Sequence, residues 1–256
     1  MIIDVNVHLS RWPFRRLRGD EPAALAALLR AKGVGQAWAG SFDGAFHLDL
    51  AAANVRLADE CRRHGDGLFL PFGAVNPAQV DWEEDLRRCH EVHGMKGIRL
   101  YPGYHDYTLE DPRFAELLRQ AAQRKLIVQL AVKLEDVRTQ HRLARVATVD
   151  VAPLPDLLKA IPSVRLVLLN ALGDVKRPLL ERLAGTGQVW VEISALEASG
   201  ALDGLRRQIR PDRILFGSQA PFFTWDAALL KVREAALDAA ASRAVLEDNA
   251  RALLGG

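Results

Sequence analysis

A chain of 256 residues with 49% hydrophobic and 26% charged side chains can bury a large core and has the composition of a globular protein, which excludes a disordered tail, a fibre or a disulfide-stapled miniprotein. Thirty-four Lys and Arg against 32 Asp and Glu leave a net charge of +2, so no overall field gathers nucleic acid or an anionic membrane, and neither is expected as a partner. The two cysteines, Cys61 and Cys89, stand apart, the opening MIIDVNV has no signal-peptide pattern, and no apolar run nears a membrane span, so the chain reads as cytoplasmic.

Short β-rich apolar runs alternate with longer amphipathic ones along the chain. The first strand is residues 2–7 (IIDVNV), followed by a helix over 21–32 with Leu25, Leu28 and Leu29 on one face. Strand two covers 36–40 and its helix 48–64; strand three is 68–75 (LFLPFGAV) and its helix 82–92. Strand four is 96–101 (KGIRLY), and helix four starts at Pro112 with Asp111 as its N-cap. Strand five is 126–132 (LIVQLAV) with a helix over 153–161, strand six 164–170 (VRLVLLN) with a helix over 178–184, and strand seven 188–194 (QVWVEIS) with a helix over 201–209. Strand eight is 213–218 (RILFGS), closed by helices over 226–237 and 242–253.

Eight strand–helix pairs whose strands are apolar on both faces predict an α/β fold, a (β/α)8 TIM barrel forming one domain over residues 1–256. A doubly wound nucleotide-binding sheet fits less well. No G-x-G-x-x-G follows the first strand, and Gly33-Val34-Gly35 sits where it ends a helix.

In such a barrel the chemistry projects from the C-terminal ends of the strands and the loops beyond them. Those ends carry Asn6 and His8, Arg99 and Tyr101, Gln129, Asn170, Glu192 and Ser194, then Gln219. An amide closing an apolar strand, as Gln129 and Asn170 do, needs a partner, either a ligand or its neighbours in the barrel mouth. The loop after strand five adds Glu135, Arg138 and His141, and the loop after strand four adds His105 beside Asp106. The first loop holds Arg11, Trp12, Phe14, Arg15, Arg16 and Arg18, a set suited to an anion-attracting rim or an interface.

The residues resemble the amidohydrolase superfamily, in its amidohydrolase-related branch of decarboxylases and hydratases. Asp4-Val5-Asn6-Val7-His8 stands where members carry Asp-x-His-x-His, Lys96-Gly97-Ile98-Arg99-Leu100-Tyr101-Pro102 matches the fourth strand, and Phe216-Gly217-Ser218-Gln219-Ala220-Pro221 the eighth, where members read Phe-Gly-Ser-Asp-x-Pro. The resemblance implies a metal held at strands one, five, six and eight. Four of those five positions are amides here, Asn6, Gln129, Asn170 and Gln219, and only His8 keeps the family's residue. The expectation is therefore a degenerate site with no catalytic metal and no cofactor.

Two functions follow. The first is a metal-independent hydrolase or other acid–base enzyme acting on a small carboxylate- or carbonyl-bearing substrate. Its acid–base residue would be His8, with Tyr101, His105, Glu135 and His141 as further catalytic candidates. Arg99 would bind a substrate carboxylate in bidentate fashion, and Asn6, Gln129, Asn170, Gln219 and Arg138 would contact substrate. The second is a non-catalytic homologue that binds a small polar ligand. Barrels of this kind often pair through helices, which leaves a homo-oligomer open.

Overall fold

The computed structural model describes residues 1–255. Eight strands, β1 (Ile2–Leu9), β2 (Val34–Ser41), β3 (Phe69–Ala74), β4 (Gly97–Leu100), β5 (Ile127–Ala131), β6 (Arg165–Leu169), β7 (Val189–Glu192) and β8 (Ile214–Leu215), pair in parallel and in sequence order. Beyond β8 the chain runs on beside β1: Phe216 accepts from the Val5 amide at 2.9 Å, the Gln219 amide donates to Asn6 at 2.7 Å, and the His8 amide donates to Ala220 at 2.9 Å. These bonds bring the last strand against the first, so the eight-stranded TIM barrel predicted from the alternation is the fold observed.

The helices are α1 (Pro22–Ala31), α2 (Asp43–Phe46), α3 (Leu50–Gly65), α4 (Trp82–Arg87), α5 (Pro102–His105), α6 (Pro112–Gln123), α7 (Leu154–Ala160), α8 (Arg177–Gly185), α9 (Ala201–Arg206), α10 (Trp225–Glu234), α11 (Ala239–Arg243) and α12 (Asn249–Gly255). Asp111 caps α6 as expected, accepting from the Arg113 amide at 2.9 Å ahead of a first-turn proline. Gly33, with φ +81°, turns the chain out of α1. The short helices α2 and α5 fall inside loops after strands and escape periodicity analysis because they span only one turn. The final helical region starts at residue 239, earlier than predicted, and continues through a π turn to α12. No helix among the described residues is long and apolar enough to cross a membrane.

Burial separates three layers. Helix faces such as Leu25 and Leu29 pack on the outer strand residues Val7 and Leu9. Ile3, Val5, Trp38, Phe72, Ile127, Val167, Leu169 and Leu215 fill the barrel interior. A third cluster, Trp12, Phe42, Tyr101 and Leu134 with Phe14, Phe46, Tyr104 and Phe222 against it, lies over the mouth. Between Asp4 and Val7 the register of β1 shifts. The extra residue reverses the alternation, so Ile3 and Val5 point inward below while Asn6 and His8 point inward above.

Candidate functional site

Arg99 occupies the barrel axis. Its side chain is fully buried, and all five guanidinium N–H groups find neutral acceptors. Nε donates to Gln129 Oε1 at 2.8 Å, Nη1 to the Val7 carbonyl at 2.9 Å and to His8 Nε2 at 3.1 Å, and Nη2 to the Trp38 carbonyl at 3.0 Å and the Val5 carbonyl at 3.5 Å. Burial lowers its pKa, but a guanidinium stays protonated in proteins. Gln129 is spent on the same arrangement, its Nε2 donating to Val5 at 2.7 Å. Arg99 and Gln129, expected as substrate contacts, thus spend these groups on internal bonds, and Arg99 makes no ion pair with Asp43 or Glu192.

His8, the expected acid–base residue, lies in surroundings that disfavour its charged form. It is fully buried, stacked on Phe42 with centroids 4.7 Å apart and planes 6° apart. Burial first, and the Arg99 charge second, hold its pKa well below the ordinary value, so the ring is neutral. Arg99 can only donate, so Nε2 carries the lone pair and Nδ1 the proton, which meets no protein acceptor.

Next to this centre lies a second network. Glu192, fully buried at the end of β7, accepts from the Asn170 and Ser194 amides, each at 2.6 Å, from Ser194 Oγ at 2.8 Å and from Asn6 Nδ2 at 3.3 Å. Burial raises its pKa against these bonds. Asn170 Oδ1 accepts from Asn6 Nδ2 at 2.7 Å and sits 2.8 Å from Ser194 Oγ, while its Nδ2 donates to the Lys133 carbonyl at 2.7 Å. Gln219 Nε2 donates to the Leu134 carbonyl at 2.5 Å; its Oε1, like Asn6 Oδ1, meets no protein donor. Asn170 and Gln219 both hold left-handed backbone, φ 54° and 58°, where the chain leaves its strand. Asp4 belongs elsewhere: it faces outward to Trp225 Nε1 at 3.0 Å and the Ser218 amide at 3.0 Å, and burial lifts its pKa to about 6.

The mouth above His8 is closed by rings. Trp12 meets Phe14, Phe42, Phe46 and Phe222 edge-on, with centroids 4.9–5.7 Å apart. Tyr101 donates to the Ser41 carbonyl at 3.2 Å, and burial pushes its pKa to about 12. His105 Nε2 lies 2.9 Å from the Gly44 carbonyl, which fixes its proton on that nitrogen, and burial lowers its pKa to about 4. Glu135, 2% exposed, pairs with Arg15 at 2.5 Å instead of facing a substrate. His141 is exposed and stacks on Phe14 at 5.1 Å, and Arg138 is exposed and paired with Asp136 at 2.7 Å. Two further first-loop arginines are likewise engaged, Arg11 with Glu21 and Arg16 with Asp20.

An open cleft of about 470 Å³ lies to one side, a size that suits a small molecule. Asn170, Ser194 and Gln219, from the ends of three successive strands, line it with Lys133, Lys231, Glu197 and Glu234 and the apolar Leu134, Leu196, Phe223 and Leu230. Lys231 donates to the Ser194 and Ile193 carbonyls at 2.5 and 3.0 Å, and burial lowers its pKa. Lys133 pairs with Asp174. Sequence reasoning missed Lys231, which sits on α10 without a strand-end signal. Glu192 and Ser194 were visible as polar ends of an apolar strand, but not their mutual bond.

The donor set on the axis does not fit a divalent ion. A guanidinium lies against His8 and Gln129, the other three positions are neutral amides, and no group of three or more His, Cys, Asp or Glu among the described residues is placed to hold a metal.

The sequence profile of the amidohydrolase family matches residues 3–256; the chain belongs to that family. Its fold is shared by solved structures of 2,6-dihydroxybenzoate decarboxylase from Rhizobium (TM-score 0.73, 16% identity, covering 100% of this chain and 99% of that one), 4-oxalomesaconate hydratase from Rhodopseudomonas palustris (0.74, 15%, 100% and 96%) and 5-carboxyvanillate decarboxylase from Sphingomonas paucimobilis (0.74, 13%, 99% and 98%). The structural neighbours thus include decarboxylases and a hydratase. No curated protein matches the sequence.

Proposed function

We propose that this chain is a metal-independent enzyme of the family that performs hydrolysis or another acid–base reaction on a small carboxylate- or carbonyl-bearing molecule held in the lateral cleft. One observation carries the reading: three strand-end polar residues, Asn170, Ser194 and Gln219, line that cleft beside two lysines, whereas His8 and Arg99 lie on the axis and do not line it. Lys133 and Lys231 supply positive charge for a carboxylate at a cleft whose wall holds the buried Gln219 Oε1, which meets no protein donor. Lys231 is the acid–base group best placed for the task, because burial brings its pKa down from the usual lysine value. Ser194 Oγ, hydrogen-bonded to Glu192, lies on the floor. The neighbours act on carboxylic acids by their names, which suits the same substrate class. Two buried, unpaired cysteines suit a reducing cytoplasm.

The test is a screen of small carboxylic acids against chelator-treated protein by calorimetry, with turnover followed by NMR. Binding and turnover that survive chelation and fall at least about tenfold in Lys231→Met support the reading. Turnover abolished by chelation and restored by zinc or manganese overturns it. A second reading, a non-catalytic ligand-binding homologue, is favoured by the burial of His8 beneath Trp12 and Phe42, which removes the family's one retained histidine from any ligand. Its signature is Lys231-dependent binding with no turnover.

A further inference from the structure

We infer that the guanidinium of Arg99 is a resident cation, supplied by the chain itself to a cage of inward-facing acceptors on the barrel axis, and that this cage consequently takes up no divalent ion. The cage is built from β1, β2 and β5. Three backbone carbonyls, of Val5, Val7 and Trp38, converge with Gln129 Oε1 and His8 Nε2 on one buried point. Five lone pairs aimed together repel one another unless a donor stands between them, and burial denies them bulk water. The guanidinium meets all five with one N–H each, and no carboxylate touches it.

The room for it is cut to measure. Gly40 on β2 faces the group, and a Cβ there would stand 2.7 Å from Arg99 Cδ and Nη1 and 2.8 Å from Cζ. A divalent ion would have to displace a tethered charge and then sit among neutral donors that cannot balance it. The axial position therefore carries a permanent single charge whatever metals the solution contains.

The inference shares metal independence with the proposed function, but does not need the lateral cleft to be catalytic. Its test is chemical rescue. Arg99→Ala should lower the melting temperature by several degrees, and low-millimolar guanidinium chloride should recover part of that loss. Neutral urea, of similar shape, and sodium chloride should not, and wild type should gain nothing from any of them. Arg99→Lys and Arg99→Met provide a second comparison should the alanine variant not fold. The lysine variant keeps a cation and should melt higher than the methionine variant, although methionine is the better core residue. Wild type dialysed against zinc or manganese should retain no stoichiometric metal.

Melting of Arg99→Ala that is indifferent to guanidinium, methionine outperforming lysine, or stoichiometric metal on wild type would each overturn the inference. Rescue without turnover of any carboxylate would leave it standing while the enzymatic reading fails. Stoichiometric metal on the axis would sink both.

Discussion

Gly217, on the run beyond β8, faces the carboxylate of Glu192 on β7 so closely that a Cβ would stand 2.4 Å from Oε2. The missing side chain is what lets a buried acid sit at the end of an apolar strand. Glu192 in turn holds the Asn170 and Ser194 amides and so fixes the floor of the lateral cleft. Gly217→Ala should push the carboxylate off those amides and cost about 2–4 kcal/mol, combining overpacking with unpaired buried donors. Urea unfolding measures the loss. A midpoint unchanged from wild type would show that the carboxylate relaxes at no cost.

Arg15 on the first loop and Glu135 on the loop after β5 form the one ion pair that ties these two loops over the mouth, and Arg15 also lies 5.0 Å above the Phe222 ring. Glu135 is 2% exposed and Arg15 44%. Removing the exposed partner strands the buried one, so Arg15→Ala should cost about 1–3 kcal/mol. Arg15→Ala combined with Glu135→Gln should cost less than the sum of the single changes, by at least about 0.5 kcal/mol. A double-mutant cycle in urea checks this; strict additivity would mean that water already screens the pair.

His105 contributes a pH dependence with a defined sign. Its folded pKa of about 4 lies below the ordinary value of 6.5, so between those values the unfolded chain binds the extra proton. Its contribution to stability is intact above about pH 6.5 and is lost as pH falls toward 4. Asp4, raised from 3.8 to about 6, acts in the opposite direction over much of the same window, so the wild-type curve alone does not isolate the histidine. His105→Gln keeps an N–H near the Gly44 carbonyl and does not titrate. The stability difference, variant minus wild type, should rise as pH falls from 6.5, by up to about 1.4 kcal/mol per pH unit. A difference flat in pH would contradict the depressed pKa.

The barrel was legible because its strands are covered on both faces and read as continuous apolar runs, and Asp111 with Pro112 announced α6 plainly. The site was legible only as a set of residue types. Asn6, His8, Arg99, Gln129, Asn170 and Gln219 do converge on the mouth, as strand-end logic requires, but their partners depend on pairings across the barrel that no local pattern encodes. The β1 bulge is one case: strict alternation would set Asn6 and His8 opposite to Val5, and all three face inward. The first loop is another. Its arginines suggested an anion rim, yet Trp12 and Phe14 join rings from Phe42, Phe46 and Phe222, residues far apart in sequence, to cover the axis.

That cover gives the last expectation. Trp12 is 3% exposed and touches Phe42, the ring stacked on His8. With the indole in place His8 is out of reach of solvent, and its unpartnered Nδ1 proton meets neither water nor ligand from the lateral cleft. Trp12→Ala should open a passage from the mouth to the imidazole at a cost of about 3–5 kcal/mol, the usual range for deleting a large aromatic side chain from a core. Diethyl pyrocarbonate, which acylates neutral imidazoles, should leave His8 unmodified in wild type and modify it in Trp12→Ala, with peptide mass mapping to separate it from the exposed His47 and His141. The labelling belongs well below the variant's melting temperature, so that global unfolding does not supply the access. Equal labelling of His8 in both proteins would mean that the rings part readily in solution, and would return His8 to the list of groups that can meet a substrate.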